Sequence, residues 1–250
     1  MDINRKETIK NCIAISMLII IISIVAIIII KYQVSGETNM PFNLTKITII
    51  STAEGVQAEN IEEQESTKWN LSINQSNDVY FFIDKNEEYK KSASLDNVTI
   101  ENIKVSTAPV KGEIKTYMPN SAEGRRFVYD NSLLVNNKLS YTGAKASDEK
   151  NLEIGNQGGK ALIRFANTNI CTYNSNEDTE IIHDGTLIAK TNTKNEEIQF
   201  SVNFDFIITS RNIKYKANIT LDFPYENILE KGTTQIEKTD MSNIIFKRIK

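Results

Sequence analysis

Residues 197–223 read EIQFSVNFDFIITSRNIKYKANITLDF, and that stretch decides the fold class. From Glu197 to Thr209, the apolar Ile198, Phe200, Val202, Phe204, Phe206 and Ile208 alternate with polar residues, and Ile207 alone breaks the polar set. After Ser210-Arg211-Asn212 the alternation resumes, with Ile213, Tyr215, Ala217, Ile219, Leu221 and Phe223 set against Lys214, Lys216, Asn218, Thr220 and Asp222. A period of two puts successive side chains on opposite faces of an extended chain, so each arm is a strand with one buried face. Two such arms joined by a short polar turn make an antiparallel hairpin. Each arm reaches ~35–40 Å at strand rise, the length of a whole domain. Pro224 ends the second arm, since it has no N–H to give to a ladder.

The same period recurs upstream, in Thr45–Thr52, Lys68–Ile73, Val79–Ile83, Val98–Val105, Glu113–Met118, Phe127–Val135, Ala161–Phe165 and Glu180–Lys190. Within Val98–Val105 the alternation slips by one at Asn102, as a bulge would make it do. Polar clusters at 75–78, 84–86, 136–137, 156–159 and 174–176 read as the turns between strands. Only Val56–Glu65 and Pro224–Glu230 have room for a helical turn or two. Many strands without a long helical pattern predict a mainly β fold, an antiparallel β-sandwich of jelly-roll-like type over residues 44–250. Residues 31–43 (KYQVSGETNMPFN) hold small and turn-forming residues and read as a tether.

The N-terminus obeys a different rule. Asn11 to Ile30 carries no charge, and from Ile13 onward it is almost wholly Ile, Leu, Val, Ala and Met. Twenty residues of helix are ~30 Å long, the thickness of a bilayer's hydrocarbon core. A single such segment in lipid can satisfy its backbone hydrogen bonds only as a helix. The expectation is a transmembrane helix at 11–30, with the lipid bilayer as its partner. Arg5, Lys6 and Lys10 precede the run, while Lys31 alone follows it closely. By the positive-inside rule residues 1–10 are cytoplasmic, and the β domain lies outside the cell membrane. A cleaved signal peptide is the competing reading. It normally has a shorter apolar region and an A-x-A-like site, whereas Lys31-Tyr32-Gln33 follows here.

Charge and cysteines exclude several classes. The chain carries a net −3, of which the first ten residues contribute +1 and Lys31 a further +1, leaving the outer part near −5. A mildly acidic domain lacks the basic stripe that nucleic acid requires. Cys12 opens the apolar run, so Cys171 is the only outer thiol and no disulfide can form within that domain. With His183 as the only histidine, the four ligands of a structural zinc are missing. No cofactor motif is present. The five N-x-[S/T] sequons, at Asn43, Asn70, Asn74, Asn97 and Asn218, follow from a chain rich in those residues.

Cys171, His183 and Arg211 are the residue types of a thiol transferase. Asn167–Tyr173 (NTNICTY) faintly resembles the Cys-bearing strand of the sortase transpeptidases, membrane-tethered β-barrels that use a Cys, a His and an Arg, and Glu180–Ile188 resembles the strand that follows it. That resemblance implies Cys171, His183 and Arg211 as the catalytic set, with the Cys171 thiolate as nucleophile. The order departs from the family, whose His precedes the Cys and whose Arg follows it closely. Without an imidazole upstream, nothing evident holds the thiol as thiolate.

Four other patterns have plainer readings. Ser147-Asp148-Glu149-Lys150 matches S-x-x-K without the companion elements of that chemistry, and reads as a polar loop. Asn174, Asn176 and Asp178 offer oxygens at alternating positions, as a calcium loop does, but Thr179 stands where an EF-hand needs glycine. Asp205 and Asp222 share a polar face and form a potential carboxylate pair, with Lys214 and Lys216 as balancing cross-strand partners. Trp69, Tyr80, Phe81 and Phe82 can line a cleft or fill a core, and aromatic residues in strands usually fill cores.

No catalytic set is complete. The functional expectation is a non-enzymatic, membrane-anchored extracytoplasmic domain acting as a binding or envelope-assembly module with a cell-surface protein or glycan partner. The alternative is a cell-envelope enzyme, a divergent sortase-like transpeptidase or a wall-modifying hydrolase. A structural subunit whose β-edges pair with neighbouring copies is a third possibility.

Overall fold

The structure is a computed structural model, and it describes residues 2–57, 69–119, 133–134, 136–150, 152–176 and 186–249. A long helix α1 (Asp2–Ser35) leads into eleven strands among the described residues. In chain order these are β1 (Phe42–Gln57), β2 (Trp69–Lys85), β3 (Leu95–Thr107), β4 (Glu113–Tyr117), β5 (Lys138–Ala144), β6 (Glu153–Gly155), β7 (Gly158–Ser175), β8 (Phe200–Ser210), β9 (Ile213–Phe223), β10 (Thr233–Lys238) and β11 (Lys247–Ile249). Three short helices, α2 (Thr186–Lys190), α3 (Asn195–Ile198) and α4 (Ile228–Lys231), lie among the later strands.

The strands form two sheets, ordered β10-β1-β2-β7-β4 and β11-β9-β8-β3-β5-β6. All named pairings are antiparallel except β5 with β6. The hairpin read from residues 197–223 is β8–β9, in register from Phe200↔Phe223 to Ser210↔Ile213, whereas Glu197 and Ile198, read as the start of its first arm, belong to α3. Its turn residues Arg211 and Asn212 both take left-handed φ values, 53° and 62°, as a two-residue turn between twisted strands requires. The slip at Asn102 is a bulge: its φ is 57° and the β3–β8 register shifts between Glu101 and Lys104.

Alternation along the strands builds one large core between the sheets. Phe81 on β2 meets Phe206 and Phe204 on β8, at 4.8 and 5.7 Å between ring centroids, and Phe165 on β7 meets Phe223 on β9 at 5.5 Å. All five rings are buried. Each fully buried side chain of this size stabilises the fold by roughly 1.5–3 kcal/mol through removal of apolar surface from water.

A second, smaller core lies where the first sheet runs on past the other. Ala53, Leu71, Ile73 and Ile170 of that sheet are covered by Leu187 and Ile188 of α2, Ile198 of α3 and Ile228 of α4. Between the two cores the inner face turns polar. Ser51 Oγ and Gln75 Nε2 both donate to Asn77 Oδ1, at 2.7 and 2.8 Å, and Asn77 Nδ2 donates to the Phe165 carbonyl at 2.9 Å. Asn167, opposite Gln75 in the ladder, donates to the Lys111 carbonyl at 2.9 Å.

Several expectations are corrected here. The polar cluster 75–78 is no turn: Gln75, Ser76 and Asn77 are buried in the middle of β2, and their side chains find partners inside the fold. The strands expected at 68–73 and 79–83 are therefore one, as are 161–165 and the Cys171 stretch within β7. The strand expected at 180–190 ends instead as α2, whose Leu187 and Ile188 cap the small core. Strand β5 escaped the pattern, because only Leu139 and Tyr141 mark its buried face. Phe127–Val135 falls mainly outside the described residues, as does Val56–Glu65, of which Val56 and Gln57 close β1.

Helix α1 is long and apolar enough to cross a membrane, and every residue from Glu7 to Lys31 is exposed. The stretch read as a tether is helical to Ser35 and enters β1 at Phe42. Between them the chain is fastened down. Gly36 ends the helix with φ 70° and an N–H bonded to the Tyr32 carbonyl, and a side chain there would meet the Phe246 carbonyl oxygen at 2.4 Å. The Glu37 N–H donates to that same Phe246 oxygen at 2.8 Å.

Candidate functional site

Cys171 and Arg211 belong to opposite ends of the domain. Arg211 occupies the β8–β9 turn next to Ser210, which pairs with Leu95, and the Leu95 N–H donates to the Asn156 carbonyl just ahead of β7. From Gly158 at that end, the run of β7 to Cys171 covers roughly 40 Å at strand rise. No transferase geometry can unite groups so far apart. His183 lies outside the described residues.

Cys171 has local company of another kind. The Thr191 hydroxyl is 3.1 Å from its sulfur, and 2.7 Å from the Ile188 carbonyl. Thr191 Oγ1 also lies 3.0 Å from Thr193 Oγ1, to which Lys111 Nζ donates at 3.3 Å. Lys111 in turn pairs with Glu197 at 2.9 Å. The Lys194 N–H and Lys111 together hold the Glu197 carboxyl below its ordinary range. This chain of side chains ties the α2–α3 connection to β7 beside the small core, where Cys171 packs half-buried. It accounts for the thiol as a structural neighbour of Thr191.

The carboxylate pair separates as well. Ser201 faces Asp222 in the β8–β9 ladder, so Asp205, two outward positions along β8, stands ~13 Å away. Glycosidase carboxylates sit about 5–9.5 Å apart. Asp205 is satisfied by Asn102 Nδ2 at 2.9 Å, Asn218 Nδ2 at 3.2 Å and Lys216 Nζ at 3.4 Å. Partial burial pushes its carboxyl up, and these hydrogen bonds with the Lys216 charge outweigh that and hold it below the usual range. Lys216 is thus the cross-strand partner expected of it, whereas Lys214 makes no ion pair to Asp205 or Asp222.

Of the calcium-type pattern, Asn174 and Asn176 are exposed at the end of β7, and Asp178 lies outside the described residues. Among the described residues no group of three or more His, Cys, Asp or Glu side chains could hold a metal ion. Ala146–Asp148 of the S-x-x-K stretch forms one exposed 3-10 turn. The aromatic run alternates: Phe81 is core, Phe82 lies under the Lys46 ammonium at 4.4 Å, and Trp69 packs at the small core.

The concave sites lie elsewhere, at places that the sequence does not mark as sites. The segment 239–246 crosses the open side between the sheets, from β10 to β11. On one flank is a cavity of about 370 Å³ lined by Glu37, Met40, Asn43, Met241 and Phe246, and on the other one of about 260 Å³ lined by Asn218, Leu221, Lys238, Asp240 and Met241. A third, of about 310 Å³, sits at the β3 bulge between Glu101–Lys104 and Asn136–Lys138. Each forms where segments distant in the sequence meet, so no single local pattern marks it.

No family model, no curated protein and no solved structure matches this chain.

Proposed function

We propose that the chain is a single-pass membrane protein whose β domain stands outside the cell membrane as a non-enzymatic binding or envelope-assembly module. The lipid bilayer is its partner through residues 11–30, and residues 1–10 are its cytoplasmic end. The observation that carries the reading is the junction: an apolar helix left wholly uncovered by the domain is nevertheless fastened to the domain's base. An uncovered stripe of Ile and Leu costs far less in lipid than in water. The domain is an antiparallel β-sandwich, supported by the aromatic pairs that bridge the sheets. Its topology favours a simple sandwich over a jelly roll, since the hairpins β1–β2 and β8–β9 each stay within one sheet. The cavities beside 239–246 are the places for a cell-surface protein or glycan partner, lined by a few polar groups among Met and Phe.

The enzymatic alternative rests on the hydrogen-bonded chain from Cys171 to Lys111. Replacing Cys171 by Ala in the full chain separates the two. A binding module retains the phenotype that the intact gene restores to a deletion strain. Loss of that phenotype, with the variant protein present at normal abundance, would establish thiol chemistry.

A further inference from the structure

We propose that the domain makes a second contact with the bilayer, through the β9–β11 edge and the β8–β9 turn resting on anionic lipid headgroups. The proposal builds on the reading of α1 as a spanning helix. Its basis is direction. The Arg248 N–H donates to the Tyr32 hydroxyl at 3.0 Å, whereas Phe246 contacts Gly36 and Glu37, so β11 runs from residue 246 to 248 back down α1 toward the apolar run. β11 is antiparallel to β9, with Arg248 opposite Tyr215 and Ile249 opposite Lys214. Followed backward from Tyr215, β9 therefore descends in the same sense, to Lys214 and then the turn at 211–212. The turn is ~13 Å of strand farther along from Tyr215, on the bilayer side of the domain.

The side chains brought there are cationic. Arg211, Lys214 and Arg248 are exposed, and none forms an ion pair among the described residues. Lys31 adds a fourth charge on the helix. Asp96, which accepts the Asn212 N–H at 2.8 Å, and Glu37 are the acids on these elements, while Glu87 and Glu88 are balanced by Lys90 and Lys91 around Tyr89, within electrostatic reach of Tyr215. A surplus of cations next to a membrane span meets its complement in phosphate-bearing anionic headgroups. Each basic side chain near such a surface contributes roughly a fivefold preference for it.

The test uses the full chain with Cys12→Ser and Cys171→Ser, carrying one nitroxide at Ser94→Cys or, separately, at Ile20→Cys. Ser94 is exposed and its carbonyl accepts the Ser210 hydroxyl, so the label reports on the turn without removing a cation. The protein is placed in nanodiscs of phosphatidylcholine, with or without phosphatidylglycerol. With phosphatidylglycerol present, collision of the label at 94 with a water-soluble paramagnetic quencher falls several-fold. About 1 M KCl, which shortens the Debye length to about 3 Å, reverses that fall. So does the triple change Arg211→Glu, Lys214→Glu, Arg248→Glu. The label at 20 stays shielded throughout. Equal accessibility at 94 in both compositions, with 20 shielded, overturns the headgroup contact and leaves the span standing. A water-exposed label at 20 removes the span and this proposal with it.

Discussion

The two cores of the domain rest on different physics. The large one lies between two sheets and is filled by facing aromatic rings on strands of long, regular alternation. The small one lies on one sheet alone and is roofed by three helices of four or five residues each. Helices so short have no stability of their own, so their few apolar contacts and the hydrogen bonds around Thr191 and Lys111 hold them in place. The polar band of Ser51, Gln75, Asn77 and Asn167 separates the cores. It also carries buried acceptors, Gln75 Oε1 and Asn167 Oδ1, that no group among the described residues meets. The difference teaches that cooperativity need not be uniform along these strands. The end bearing Cys171 opens more readily than the end joined to α1.

The largest effect belongs to the large core. Phe204→Ala removes a ring buried against Phe81 and Phe165, and costs about 3–5 kcal/mol. Denaturant unfolding of the purified full chain in detergent measures it, and every amide in both sheets loses protection from hydrogen exchange. Leu187→Ala, in the small core, costs about 2–4 kcal/mol locally. Exchange then quickens in 186–198 and the ends of β2 and β7, while the β8–β9 hairpin keeps its protection. Equal loss in both regions would break the comparison.

Asn77→Ala cuts the band between them. Ser51 and Gln75 lose their shared acceptor and the Phe165 carbonyl loses a donor, a cost of about 1–3 kcal/mol. Gly36→Val tests the junction: its φ of 70° and the Phe246 oxygen at 2.4 Å leave no room for a branched side chain. Strain of roughly 1–3 kcal/mol is relieved by releasing residues 36–41, which exchange and proteolysis of the junction detect. The smallest effect is electrostatic. The Asp205 carboxyl is held lower in the folded chain than in the unfolded one, so its contribution is complete above the unfolded value and fades as pH falls through the folded one. Asp205→Asn flattens that acid limb, and at neutral pH costs under about 1 kcal/mol.

The hairpin and the bulge at Asn102 were legible because a period of two, and a slip in it, are local signals, and the apolar helix because its length and lack of charge are. The cluster 75–78 was not, since Gln, Ser, Asn and Asp signal a turn by propensity. What keeps them in a strand is Ser51 from β1 and the Phe165 carbonyl from β7, neither visible from the sequence near residue 77. α2 was misread for a related reason: Leu187 and Ile188 are apolar in a way that fits a strand, and only the small core makes them a helical cap. Of the candidate sites, the residue types around Cys171 could be named. Their convergence could not, because proximity depends on register: thirteen or so residues of β7 carry Cys171 away from Arg211. The cavities beside 239–246 left no trace in local pattern, one being built from α1's end, β1 and the last segment of the chain, the other from β1, β9 and that same segment.

Protease added to intact cells carrying a differently tagged N-terminus and C-terminus tests the account most directly. The C-terminal tag, borne by the folded domain beyond α1, is digested while the N-terminal tag survives until the cells are opened. Survival of the C-terminal tag with digestion of the N-terminal one would contradict the account, and so would a mature protein that begins after Lys31.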